Sequence, residues 1–159
     1  MFDPNDSDKV SLEGYPFAWR WTGENHANIS EEMLARIQPL NDESAGEAWQ
    51  HAMGIQGMSY QEQFTETHEL EVDRRGADEP EHDVGEWLKA RLPDHSDPIF
   101  VSWTERMAAK TDRETFIQHW NTFCYPVEDV VIWPQNEQWV LLFDYKQRFY
   151  FAVSNPAAP

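Results

Sequence analysis

Eight Trp, nine Phe and five Tyr share this chain with 29 Asp and Glu, against only 12 Lys and Arg. The two populations pull in opposite directions. Acidic chains that stay unfolded lack large apolar side chains, because they have no core to build. A formal charge of −17 on 159 residues opposes compaction through self-repulsion. Only burial of the rings can outweigh that repulsion. The sequence therefore specifies a folded body with a strongly negative exterior.

The length suits one domain, able to bury roughly two-thirds of its unfolded surface. The single cysteine, Cys124, excludes an internal disulfide and fits a reducing compartment. No stretch approaches the ~18 apolar residues of a membrane span, and residues 1–9 are acidic, unlike a secretory leader. The expected setting is the cytoplasm. Residues 1–80 carry 17 acids and 5 bases, and residues 81–159 carry 12 acids and 7 bases. Such a surface repels phosphate backbones and acidic lipid, so neither nucleic acid nor membrane is an expected partner. It attracts basic proteins and speeds encounter with them. The same acidity also serves plain solubility.

Residues 1–14 read as a flexible acidic amino end, 15–153 as one domain and 154–159 as a tail. In Tyr15 to Thr22, Phe17, Trp19 and Trp21 alternate with Ala18 and Arg20, which predicts a strand. Asn28 and Glu31 predict the start of a short helix stopped by Pro39. Asn41 or Asp42 caps a second helix through Ala45, Ala48, Trp49 and Ala52, closing near Gly54. Residues 60–73 fit either a ragged strand or an exposed helix. Val84, Trp87, Leu88 and Leu92 give a helix ended by Pro93. Ile99 to Trp103 is a strand. Thr111 and Glu114 form a capping box for a helix that buries Phe116, Ile117, Trp120 and Phe123. Val130–Trp133, Trp139–Phe143 and Arg148–Val153 then make three antiparallel strands. The fold class is α+β, an antiparallel sheet whose carboxyl-terminal three-strand meander packs against several short helices.

Chemistry is sparse. Phosphate loops, dinucleotide fingerprints and nucleophile elbows are absent from the sequence. His82, Asp83 and Glu86 lie within one helical turn, and His95 stands between Asp94 and Asp97. Both groups are oxygen-rich and offer weak sites for a divalent ion; as ordinary polar surface they need no ion at all. No cofactor is implied. Cys124 follows His119 by five residues, but its neighbours are aromatic and acidic where a reactive thiol needs positive charge, so a core role is expected. The stretch from Phe123 to Asp129 is the densest mixture of rings and acids. Tyr125, Glu128, Asp129 and Trp133 are therefore the first candidates for contact with a basic partner, and Glu69, Glu71 and Asp73 form a second acidic arm.

Three segments carry a resemblance. They are Phe17–Trp21 followed by Ile37–Leu40, Ala45 with Trp49, and Phe100–Trp103 leading to Phe116–Trp120. Their order resembles a small bacterial family of uncharacterised proteins known only as a domain of unknown function, over residues 16–152. That resemblance brings no active-site motif. In style (small, acidic, rich in tryptophan) the chain is also similar to immunity proteins that neutralise bacterial toxins. The expectation is a non-enzymatic module that covers a basic protein surface. The alternatives are a small metal- or ligand-dependent enzyme and a nucleic-acid mimic.

Overall fold

The computed structural model describes residues 2–23, 29–57, 64–71, 80–94 and 97–154. Among the described residues, six α-helices flank one antiparallel sheet. The helices are α1 (Trp19–Thr22), α2 (Glu31–Leu34), α3 (Asp42–Gly57), α4 (Pro80–Arg91), α5 (Arg113–Gln118) and α6 (Trp120–Phe123). The strands are β1 (Gln38–Pro39), β2 (Phe64–Glu71), β3 (Ile99–Thr104), β4 (Met107–Thr111), β5 (Val130–Pro134), β6 (Trp139–Phe143) and β7 (Arg148–Ser154). Their order across the sheet is β1-β4-β3-β5-β6-β7-β2. The α+β class and the β5-β6-β7 meander are as the sequence predicts.

The sheet is covered on both faces, which explains why its central strands are apolar at every position. Val131 and Trp133 of β5 and Val140 of β6 face one core, where Ala45, Ala48 and Ala52 of α3 lie against Phe100. Val130 and Ile132 of β5, with Trp139, Leu141 and Phe143 of β6, face the other core. There they meet Val84, Leu88 and Leu92 of α4 and its carboxyl end, Phe116 of α5 and Trp120 of α6. The alanines on α3 recur at i, i+3 and i+7, so the helix presents a flat stripe and approaches the sheet closely. A Cβ at Gly46 would stand 3.7 Å from the Glu105 carbonyl oxygen.

Several local expectations are corrected. Tyr15 to Thr22 is not a strand. Ala18 N donates to Tyr15 O at 2.9 Å and Gly23 N to Trp19 O at 3.0 Å, so the run winds into turns and α1. The alternation of rings is overridden because Trp21 enters the core while Arg20 needs a partner across the molecule. The helix expected over 112–123 divides at His119 (φ −121°, ψ 30°) into α5 and α6. Its cap is Asp112, which accepts from Thr115 N at 2.7 Å, because Thr111 is already committed to β4. Ser30 caps α2 by accepting from Met33 N at 3.2 Å; Asn28 lies outside the described residues.

The amino end is tied down from its second residue. Phe2 is buried edge-on to Phe100 at 4.9 Å, Lys9 bridges to Leu40, and Asn41 N donates to Asp8 O at 2.7 Å. Residues 64–71 of the segment left open by the sequence form a strand at the sheet edge, paired with β7. Among the described residues no helix is long and apolar enough to cross a membrane.

Candidate functional site

Arg20 organises the densest polar and aromatic cluster in the molecule. Its side chain is 3% exposed. Its Nη1 donates to Glu128 Oε1 at 2.9 Å, and its Nη2 to Glu128 Oε2, a two-pronged ion pair. The guanidinium carbon lies 3.8 Å from the Phe17 ring centre and 4.3 Å from that of Tyr125. The cation is thus clasped between two rings and matched by one carboxylate, which compensates the cost of removing it from water.

Local sequence sets up this clasp. The tight turn from Tyr15 to Gly23 throws Phe17, Trp19 and Trp21 in different directions around Arg20. Opposite, Trp21 Nε1 donates to Thr122 Oγ1 at 3.0 Å and Trp103 Nε1 to the Phe123 carbonyl at 2.7 Å. Glu128 Oε1 also accepts from Tyr125 N at 3.1 Å, closing the loop after α6 on itself. Burial raises the Tyr125 phenol above its ordinary value, with nearby Arg20 pulling it back and Glu128 pushing it up.

Outside the clasp lies an exposed strip. Trp19 is 44% exposed and meets Tyr125 edge-on at 5.3 Å. Val127 is 82% exposed at φ 63°, a left-handed conformation unusual for a β-branched residue. Asp129 Oδ1 accepts from Tyr145 N at 3.0 Å, which draws the β6–β7 turn and its 57% exposed Tyr145 to the same loop. The strip offers large rings, one aliphatic tip and fixed carboxylates. Both terminal nitrogens of Arg20 are taken by Glu128, so the guanidinium is not open to an anion from solvent.

The structure thus brings Tyr125, Glu128 and Asp129 together. Trp133 is elsewhere: it is 1% exposed, in the core under α3, and cannot serve as a surface anchor. Glu69 and Glu71 stand on edge strand β2, in register with Tyr150 and Arg148 of β7. The side chains of Glu69, Glu71 and His82 lie outside the described residues, as do Asp73 and His95. Asp83 is exposed on α4, and Glu86 reaches Lys89 at 3.5 Å. Among the described residues no group of three or more His, Cys, Asp or Glu could hold a metal ion. Cys124 is fully buried.

Sequence reasoning missed four residues, in two pairs. Trp19 and Arg20 were hidden by the apparent strand, and the only local hint is an arginine flanked by three rings. His51 and Glu137 were also missed: His51 Nε2 lies 2.8 Å from Glu137 Oε1, with the imidazole 5.1 Å from Trp133. Burial lowers the His51 pKa and outweighs the opposing pull of Glu137. Glu137 has a left-handed φ of 58° in the β5–β6 turn.

Neither a curated protein nor a solved structure matches the chain. A family model described as a protein of unknown function (DUF2947) matches residues 9–151, nearly the whole described body. The chain belongs to that family of proteins of unknown function.

Proposed function

We propose that this protein is a non-enzymatic binding module that docks on a basic protein through the Trp19–Tyr125–Val127 strip. The observation that carries this reading is the exposure of Trp19 on α1 and of Val127 on the loop after α6, two segments joined by the Arg20–Glu128 pair. Trp and Tyr are the usual energetic anchors of interfaces, and charge of one sign around them selects partners of the other. The net charge of −17 sets that sign. Occlusion of a basic toxin, the role of an immunity protein, is one form of this reading. A cytoplasmic setting accords with a sole cysteine, which is buried and can form no internal disulfide.

Capture from a bacterial lysate tests the reading at low and at high salt. The unaltered chain should retain a basic protein at low salt and release it at high salt. Trp19→Ala and Val127→Asp should each lose it while keeping the native circular dichroism spectrum. Retention of no basic protein at either salt, or equal retention by both variants, counts against the proposal.

A further inference from the structure

Away from the strip, a half-open groove of about 520 Å3 lies between the amino-terminal segment, the start of α3 and the β3–β4 turn. Its volume falls within the range of small-molecule sites. Val10, Tyr15, Leu40 and Met107 supply apolar walls, and Asp42 and Arg106 supply charge. The backbone fixes this shape. Leu40 N donates to Ala108 O at 2.9 Å, Val10 N donates to Pro39 O at 2.9 Å, and the Tyr15 hydroxyl donates to Ala108 O at 3.3 Å.

Two features of the groove bear on what it could hold. Val10 stays 39% exposed beside other apolar walls. Asp42 and Arg106 carry opposite charges into one groove, yet neither forms an ion pair with the other or with any described residue.

A simple anion in the groove would meet Asp42, and a simple cation would meet Arg106. A ligand with both signs satisfies both. We infer that the groove binds a small zwitterion with an apolar side chain, either a hydrophobic amino acid or a short peptide with free ends. Its carboxylate pairs with Arg106, whose planar fork suits a two-oxygen anion. Its ammonium pairs with Asp42. The Tyr15 oxygen has given its proton to Ala108 and remains an acceptor for the same ammonium. The ligand's side chain covers Val10 and Met107. Burial pushes the Tyr15 phenol up to about 12, ahead of the opposing effects of the Ala108 contact and Arg20, so the hydroxyl stays protonated.

Titration calorimetry of the full chain with leucine, leucyl-leucine and N-acetyl-leucyl-leucine amide tests the site. At least one of the two zwitterions should bind, and the stronger identifies free amino acid or peptide as the source. Capping both ends should weaken binding by about ten-fold or more, as should Arg106→Gln or Asp42→Asn, since each removes a charged hydrogen bond. The inference is overturned if neither zwitterion gives heat at millimolar concentration, or if the capped dipeptide binds as well as the free one. It is equally overturned if both folded variants bind like the unaltered chain. The capped comparison uses no variant, so it decides the matter even where a substitution disturbs folding.

Discussion

Removing the Glu128 carboxylate leaves Arg20 with a buried charge and takes away both of its ion-pair hydrogen bonds. Breaking a buried pair from one side costs about 3–5 kcal/mol. Glu128 is 22% exposed, so the low end applies: Glu128→Ala should destabilise by about 3 kcal/mol in chemical denaturation. Arg20→Met removes the charge and the orphan together and should cost less than Glu128→Ala; the reverse order would deny the clasp its role. His51 and His119 give a second prediction at this scale. Burial holds both below the ordinary 6.5. Above 6.5 both are neutral in the folded and unfolded chain alike, and their full contribution is present. As pH falls below 6.5, the unfolded chain takes up protons that the folded chain resists, so stability declines toward the lower folded values. Urea midpoints measured from neutral to mildly acid pH should fall steadily. His51→Phe should flatten part of that slope, since an aromatic ring against Trp133 is kept and the titrating group is lost.

Among the elements, the helix pair α5–α6 shows how narrow a local signal can be. Both Thr111 and Asp112 are good caps by type, but Thr111 is the last residue paired in β4, leaving Asp112 to cap. Asp112→Ala should cost about 1 kcal/mol and Thr111→Val less, read from thermal melts. The same competition explains what the sequence disclosed. Ile99–Trp103, Val130–Trp133 and Trp139–Phe143 were legible because a strand covered on both faces is apolar at nearly every position, with Ser102 the exception. The α3 stripe was legible because small residues repeat along one side. Strand β4 was not: Ala108 and Ala109 face opposite cores, and their strand state comes from β3 beside them, not from any preference of alanine. The site was half legible. Tyr125, Glu128 and Asp129 stood out by density of rings and acids, but the arginine that braces them is 108 residues away. No local pattern encodes such a contact. Trp133 was a ring among acids in sequence and a core residue in space, because the β5 alternation turns it toward α3.

The molecule as a whole carries a charge that works against its own compaction. Screening should therefore help it. Between about 0.01 M and 1 M monovalent salt, the reach of a charge shrinks from about 30 Å to about 3 Å, and the melting temperature should rise. A melting temperature that falls over that range would mean that attractive pairs, not the net charge of −17, dominate the electrostatics. Against that overall repulsion, the fold also tolerates a local penalty at Val127. Its left-handed backbone is one that glycine adopts freely and a branched side chain resists by about 1–2 kcal/mol. Val127→Gly should accordingly raise the melting temperature while blunting the loop's apolar tip. A chain shaped for endurance alone would carry glycine at that turn; this one holds out an isopropyl group to the solvent.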